Sequence, residues 1–250
     1  MGAVLTTRVG GVSAAPWDAW NLGNHVGDDP VHVADNRRLL AQRLGARPVY
    51  LQQVHGTQVV ALHADTPDGT VADACWTDAP GVACTVMVAD CLPLVFCTAD
   101  GRSVAAAHAG WRGLAGSHGV GVLETLSRDW PAAQAAAERA SLRVWLGPCI
   151  GPQAFEVGPE VREAFLTGHP DAAAAFQPGP RHAQDGKWLC DLPMLARQRL
   201  QALGYTQVAG NDGSPAWCTV TQRSVFFSHR RDSGRLGSSG RFAACIWRRP

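Results

Sequence analysis

The sequence predicts a single α+β (mixed α/β) domain over residues 1–250, with mixed β-sheets flanked by helices. Short apolar runs typical of strands alternate irregularly with amphipathic helical patterns. A chain of 250 residues, 46% of them hydrophobic, can bury a sizeable core. We find no internal repeat and no linker long enough to separate two domains.

The chain opens with an irregular segment and a helix. The stretch TTRVGGVSAAPWDAWNLGNHVGDDP is rich in Gly, Pro, Asn and Asp, and a long irregular stretch in a compact domain is often functional. The pattern after Pro30 predicts a helix that runs to Gly45. Its apolar face is formed by Val33, Leu40 and Leu44.

The next predicted elements are strands. The run VYLQQVHGTQVVAL predicts two strands in a hairpin with His55 at its tip, and GVACTVMVA and LPLVFCTA predict strands on either side of Asp90 and Cys91. We expect Pro93 to interrupt regular structure after the thiol. The short strand SVAAAHAG ends near His108, so all three candidate ligands described below lie at strand ends.

The second half of the chain predicts helices between further strands. A glycine-rich turn, GWRGLAGSHGVG, leads into a helix through VLETLSRDW, and LRVWLGPCIG is a strand that ends in a Gly-Pro turn. Two more helices are predicted in PEVREAFLTG and DLPMLARQRLQALG, the second with Asp191 as its N-cap. The closing SVFFSHRRDSGRLGSSGRFAACIW predicts a strand, a polar loop and a buried strand.

Composition excludes several classes of protein. Lys and Arg number 22 and Asp and Glu 21, a net charge of +1 that argues against broad nucleic-acid or membrane binding. No signal-peptide core and no apolar run long enough for a membrane span occur, so we expect a soluble, cytoplasmic protein. In that reducing compartment the cysteines should be thiols or ligands. Those in apolar surroundings are expected in the core: Cys75, Cys84, Cys97, Cys218 and Cys245.

The main candidate site consists of His55 in LQQVHG, Cys91 in VADCLP and His108 in AAAHAGWRG. Two imidazoles and a thiolate are ligands that zinc prefers, and three protein ligands leave a fourth position open, as in catalytic zinc sites. On the residues alone, a buried apolar cysteine and two ordinary core histidines are favoured over a metal site. Asp90 could accept a hydrogen bond from a ligating histidine, or could be a simple turn residue.

Arginines supply the candidate anion contacts. Arg112 lies at the start of a helix between two glycines, which suits an anion, although a surface arginine in a turn would look the same. Four more arginines lie among Gly and Ser in the tail, in a loop that could cradle phosphate or simply be solvated: Arg230, Arg231, Arg235 and Arg241. His229 adjoins this cluster and is a weaker substrate-contact candidate.

Taken together, the motifs resemble those of a known family. QQVHG, ADCLPL, AAAHAGWRG, LGPCIGP followed by FEVG, and the closing F.SHRRD are similar to the bacterial YfiH-type proteins, long labelled laccase-domain or multicopper polyphenol oxidases. The resemblance extends from Arg8 to near the C-terminus and includes NLGNHVGDDP and the pair Asn36-Arg37.

The resemblance implies a single α/β-type domain and a purine nucleoside phosphorylase that acts on adenosine, inosine and methylthioadenosine, with adenosine deaminase activity. It implies zinc held by His55, Cys91 and His108, which would then be catalytic. Purine nucleosides and phosphate are the expected partners. We take Arg37, Arg112 and Arg230 as candidate substrate-binding residues.

The older oxidase label does not fit the residues. A trinuclear copper cluster is held largely by His-X-His pairs, whereas this chain has nine His and no such pair. Copper(II) could still occupy the same site, because its affinity for such ligands exceeds that of zinc, so polyphenol oxidation there stays an alternative. Two further alternatives are a cysteine-dependent amide hydrolase using Cys91 and His108, and a non-enzymatic zinc-stabilised binding protein.

Overall fold

The computed structural model describes residues 1–180 and 182–249. The strands are β1 (Gly2–Leu5), β2 (Arg47–Tyr50), β3 (Val59–Ala61), β4 (Ala74–Thr77), β5 (Val82–Val88), β6 (Leu92–Cys97), β7 (Val104–Ala109), β8 (Arg143–Leu146), β9 (Glu156–Val157), β10 (Phe176–Pro178), β11 (Trp188–Cys190), β12 (Gln207–Gly210) and β13 (Phe242–Trp247). The α-helices are α1 (Pro30–Leu44), α2 (Trp111–Ala115), α3 (Val122–Asp129), α4 (Ala136–Ser141), α5 (Pro159–Leu166), α6 (His182–Asp185), α7 (Leu192–Ala202) and α8 (His229–Leu236).

Two mixed sheets pack face to face at the centre of the molecule. One has the order β1-β13-β5-β2 and the other β12-β8-β6-β7-β4-β3, and each contains both parallel and antiparallel pairs. Alternate side chains of β5 and β6 point into the space between them, as the two-residue period of a strand requires. The residues that fill this space include Cys84, Val86, Val95, Cys97, Val104 and Ile246.

Helices cover the outer face of each sheet, which gives four layers. Helix α1 packs on the four-stranded sheet through Leu40 and Leu44 against Met87 and Trp247. The larger outer core joins α3, α5 and α7 to the six-stranded sheet and includes Phe96, Leu123, Trp130, Phe165 and Leu195. A small third sheet, β10-β11-β9, packs beside α5. The predicted α+β class with mixed sheets and flanking helices is confirmed.

Helix caps and apolar runs, which depend on residues close together in the sequence, predicted their elements correctly. Helix α1 begins after Asp29, whose side chain accepts from the Val31 N–H, and ends at Gly45 with a φ of 60°. Helix α7 begins after Asp191, whose side chain accepts from the Met194 N–H as predicted. Strands β5 to β8 also lie where the apolar runs predicted them.

The predicted hairpin around His55 is wrong. Strand β2 pairs with β5 in the four-stranded sheet, whereas β3 pairs with β4 in the six-stranded sheet. The segment that carries His55 is therefore a crossover between the two sheets. Pro93 does not interrupt regular structure either, because it lies second in β6, opposite His108 in the register. Position near the start of a strand is where a sheet tolerates proline.

The tail also differs from the prediction. No strand forms at SVFF, and the predicted polar loop contains α8. Ser228 caps this helix by accepting from the Arg231 N–H at 3.2 Å, and Asp232 lies in its first turn. The Gly and Ser content of the tail favours a loop, whereas Ser228 followed by Asp232 is typical of a helix start. The glycine-rich turn after His108 likewise contains the short helix α2.

The cysteines are free thiols in the structure. All eight cysteines are unpaired, and those assigned to the core are buried. Within residues 1–180 and 182–249, we find no helix whose length and apolar character would let it span a bilayer.

One buried side chain orders the irregular N-terminal segment. The Asn36 amide on α1 donates to Ser13 Oγ at 2.9 Å and to the Asn21 carbonyl at 2.8 Å. Its Oδ1 accepts from the Val12 N–H at 2.9 Å. The irregular segment forms no β-sheet hydrogen bonds of its own. These side-chain bonds therefore satisfy backbone groups that strand pairing would otherwise satisfy.

We expect Asn36→Ala to lower the free energy of unfolding by about 2–4 kcal/mol, because it leaves several buried polar groups unpaired. Denaturant unfolding followed by circular dichroism measures this. The exposed neighbour Arg38 gives a matched control, and Arg38→Ala should change stability by less than about 0.5 kcal/mol. Equal losses in the two variants would contradict the role of Asn36.

Candidate metal and active site

Three segments bring the predicted ligands together. His55 lies on the crossover between β2 and β3, Cys91 lies between β5 and β6, and His108 lies in β7. The candidate ligand atoms of the three side chains all lie within 4.8 Å of one another, and Cys91 Sγ is 3.7 Å from His55 Nε2. The group could therefore hold a metal ion. Two imidazoles and a thiol form a donor set that fits zinc.

A buried carboxylate, Asp73, organises two of these ligands. Its oxygens accept from the backbone N–H groups of Val54, His55 and Gly56 at 3.2, 2.9 and 2.7 Å. The same carboxylate lies 2.8 Å from His108 Nδ1. With Nδ1–H donating to Asp73, the Nε2 lone pair of His108 is the one available to a metal.

Asp90 does not take the role predicted for it. Its carboxylate accepts from Thr219 Oγ1 at 2.6 Å and from the Arg230 N–H at 2.6 Å, not from a ligating histidine. Its backbone has a φ of 91°, which is unusual for a residue with a side chain. These bonds hold the turn that presents Cys91. The histidine partner is Asp73, which sequence analysis missed because nothing around it marks it as different from an ordinary loop aspartate.

The two glycines that flank Trp111 and Arg112 permit close packing around the ligands. A Cβ at Gly110 would lie 2.9 Å from His55 Cδ2 and 3.0 Å from Cys91 Sγ. A Cβ at Gly113 would lie 2.7 Å from the Gly56 carbonyl oxygen. Helix α2 can therefore approach the ligand loop only without these side chains.

The electrostatics of the metal-free group are those of a thiolate–imidazolium pair. Burial alone would raise the pKa of Cys91, but interactions with His108 and His55 outweigh it and lower the pKa to about 6. Burial would lower the pKa of His108, but Cys91 and Asp73 raise it to about 9. Burial would raise the pKa of Asp73, but hydrogen bonds from His108 and the backbone amides lower it.

The ligand group opens into a cavity of about 490 Å³, a volume typical of small-molecule sites. One wall is apolar and includes Met87, Val88, Ile150, Phe155 and Leu192. The polar lining includes His25, Gln53, Arg112, His229, Arg230 and Arg241.

The three arginines predicted to bind substrate do not all line the same cavity. Arg112 and Arg230 are exposed and line the cavity, with Arg112 lying over the Trp111 ring at 4.5 Å. Arg37 lines an adjoining cavity and stacks on Tyr50 at 3.9 Å, with its Nε donating to the Leu22 carbonyl. Of the other tail arginines, Arg231 is paired with Asp232, and Arg235 lies outside the cavity lining.

Two cavity residues, Gln53 and His25, are not predicted from the sequence, and a third, Arg241, is predicted only as one of the tail arginines. Gln53 exchanges two 2.8 Å hydrogen bonds with the backbone of Met87 and fixes the start of the ligand crossover. His25 is presented by the irregular segment. Arg241 was grouped with the tail arginines although it lies apart from them, immediately before β13. The signal that could have singled out His25 is its place in NLGNH, a turn-rich stretch with one imidazole.

Fold and ligand group together define a mixed α/β protein with a candidate mononuclear metal site at one end of two packed sheets. The chain matches the family described as multi-copper polyphenol oxidoreductase laccase over residues 2–249, and it belongs to that family. The resemblance noted from the motifs is thereby confirmed. In the described part of the chain, the His55, Cys91 and His108 group is the one cluster of three or more candidate ligands found.

Relatives match the chain nearly end to end. It is 49% identical over 245 residues to a purine nucleoside phosphorylase of Pseudomonas aeruginosa, covering 98% of this chain and 92% of that protein. It is 46% identical over 248 residues to the purine nucleoside phosphorylase YfiH of Escherichia coli, with coverages of 98% and 93%. A crystal structure from Neisseria meningitidis superposes with a TM-score of 0.84 at 43% identity, covering 99% of this chain and 94% of that chain. YlmD from Geobacillus stearothermophilus gives a TM-score of 0.80 at 32% identity, with coverages of 99% and 92%.

We expect Asp73→Asn to weaken metal affinity by roughly 10- to 100-fold, because the amide cannot accept from all four donors that surround the carboxylate. Competition with a chromophoric chelator measures the affinity. Asp78→Asn, on the exposed turn after β4, should leave it unchanged. Wild-type affinity in Asp73→Asn would show that the ligands do not need this carboxylate.

We expect about one zinc per chain in protein purified without added metal, since one suitable ligand group is found in the described residues. Cys91→Ser should lose most of it, because a neutral hydroxyl replaces a thiolate. Cys84→Ser should keep it, because Cys84 is buried between the sheets. Elemental analysis gives both values, and full occupancy in Cys91→Ser would refute the ligand assignment.

Proposed function

We propose that this protein is a zinc-dependent purine nucleoside phosphorylase that acts on adenosine, inosine and methylthioadenosine, with adenosine deaminase as a side activity. The observation that carries the proposal is the His55, Cys91 and His108 group, which opens into a cavity lined by arginines. The names of the Pseudomonas and Escherichia relatives, at close to half identity over the whole chain, support the substrate class.

The residues around the candidate site fit a divalent ion. His55, Cys91 and His108 would hold it, and when bound it would supply Lewis acidity and activate water. Asp73 keeps the proton of His108 on Nδ1, which directs Nε2 toward the shared centre. Copper(II) could occupy the same donors, and polyphenol oxidation would then be an incidental activity of one site.

In phosphorolysis, the two sides of the cavity would bind different parts of the substrates. The apolar wall around Ile150, Phe155 and Leu192 would receive the purine, with the Phe155 ring available for stacking. Arg112 and Arg230 would neutralise phosphate or hold the ribose while a phosphate oxygen attacks the anomeric carbon and the base departs. In deamination, water would instead attack C6 of the purine, and ammonia would depart while the glycosidic bond stays intact.

A cysteine-dependent amide hydrolase is the second candidate, and one observation favours it. Asp73 orients His108, and His108 in turn stabilises the Cys91 thiolate, which is the order of a nucleophile, a base and an orienting carboxylate. Metal binding separates the two functions. Iodoacetamide should alkylate Cys91 rapidly in metal-free protein and slowly once zinc is bound. Amide hydrolysis by the zinc-free protein would favour the hydrolase.

The decisive experiment separates phosphorolysis from deamination. With phosphate, adenosine should give adenine and ribose 1-phosphate; without phosphate it should give inosine alone, more slowly or not at all. Both activities should fall together in His108→Ala, by more than about 100-fold, because both are assigned to one metal site. Chromatography of the products measures both.

Two outcomes would contradict the proposal in different ways. If His108→Ala removed one activity and spared the other, a shared metal site would be excluded. If no purine nucleoside were converted by zinc-loaded protein, the phosphorylase assignment would fail.

A further inference from the structure

Arg241 is a cation in the cavity wall without a dedicated counter-ion. It lies immediately before β13 and is half-buried, and burial lowers the pKa of its guanidinium, which still remains charged at neutral pH. Within residues 1–180 and 182–249, no carboxylate lies within ion-pair distance of it. By contrast, the two most buried paired arginines, Arg199 and Arg231, bond Glu124 and Asp232 respectively.

The free edge of Arg241 is the one that suits an oxyanion. Its Nη1 donates to the carbonyls of Ser239 and Gly240 at 2.8 and 3.1 Å. Its Nε and Nη2 make no hydrogen bond within the described residues, and neither is sealed away from solvent. Nε and Nη2 form a side-on fork that matches two oxygens of a phosphate.

The backbone around Arg241 is fixed by the irregular N-terminal segment. Asn21 Oδ1 accepts from the Arg241 N–H at 2.8 Å, and the Leu22 N–H donates to the Arg241 carbonyl at 3.0 Å. A Cβ at Gly23 would lie 2.8 Å from Arg241 Cγ. The segment thus packs against the side chain itself and holds it in one place, as a preorganised contact requires.

Asp90 and the Cys91 thiolate act to raise the pKa of Arg241, but neither forms an ion pair with its guanidinium. Both oxygens of Asp90 are already bonded, to the Thr219 hydroxyl and the Arg230 N–H. The Cys91 thiolate, the other nearby anion, would be a metal ligand in the loaded protein. The half-buried guanidinium therefore keeps an edge that an anion entering the cavity can reach.

We propose that Arg241 is the principal phosphate contact of this cavity, with its Nε and Nη2 edge gripping two oxygens of the dianion. This inference rests on the proposed function for the identity of the anion as a co-substrate. Arg112 and Arg230, which are exposed, would then contribute less to phosphate affinity. The irregular segment would serve to hold Arg241 in position beside the candidate metal site.

Titration of zinc-loaded protein with inorganic phosphate alone, followed by calorimetry, tests the contact without any nucleoside. Arg241→Met should weaken phosphate binding by about 30-fold or more, because a charged bidentate contact is lost. Arg241→Lys should recover only part of the affinity, since lysine keeps the charge without the fork. Arg102→Met, in a turn whose arginine side chain is 81% exposed, should bind like wild type. Zinc content and thermal unfolding identify any variant that fails for lack of metal or fold.

The outcomes separate this inference from the proposed function. Unchanged phosphate affinity in folded, zinc-loaded Arg241→Met and Arg241→Lys overturns it, even if nucleoside phosphorolysis is found. Absence of phosphate binding to the wild type overturns it as well. If phosphate binds through Arg241 but no nucleoside is converted, the anion site stands and the phosphorylase assignment falls. In turnover, we expect the phosphate KM of Arg241→Met to rise at least as much as binding weakens, with phosphate-free deamination less affected.

Discussion

The site depends on the carboxylate of Asp73 more than on any other group. This fully buried side chain receives three backbone N–H groups of the crossover segment and the Nδ1 of His108. A buried carboxylate is unfavourable without such partners, so the loop that carries His55 must fold around it. One charge thus fixes a ligand loop and the tautomer of a second ligand at the same time. The positive φ of His55, 59°, is the backbone conformation that this wrapping imposes.

The arrangement of the two sheets explains why distant residues meet. Both the segment with His55 and the turn with Cys91 cross from the four-stranded sheet to the six-stranded sheet, and His108 ends a strand of the latter. The crossovers carry His55 and Cys91 into the lining of one cavity, which His108 also lines. Gly110 and Gly113 then let α2 close over the ligands. A cavity at the end of two packed sheets is therefore a consequence of topology, and the ligands only need to be placed in the crossovers.

Sequence reasoning predicted what short-range chemistry controls and missed what long-range contacts control. The limits of α1 and α7 follow from Asp29, Gly45 and Asp191, which act on neighbouring residues. The hairpin error arose because two adjacent apolar runs look alike whether they pair with each other or with separate sheets. The three ligands were recognised by residue type and motif. Asp73 and Arg241 were not singled out, because their roles arise from what surrounds them in space: amide groups for one and the lack of a carboxylate for the other.

Charge balance links the two halves of the cavity. The Cys91 thiolate and the Asp73 carboxylate together carry two negative charges, which match a divalent ion held with neutral histidines. Arg112, Arg230 and Arg241 then face the same space, and Asp90 offsets only one of them. The loaded cavity would keep an excess of about two positive charges, close to what a phosphate dianion supplies at neutral pH. A neutral nucleoside alone would leave that excess uncompensated in a partly buried site. The electrostatics of the cavity therefore favour a reaction in which phosphate and nucleoside bind together over one that uses water alone, which is consistent with phosphorolysis as the main activity and deamination as the lesser one.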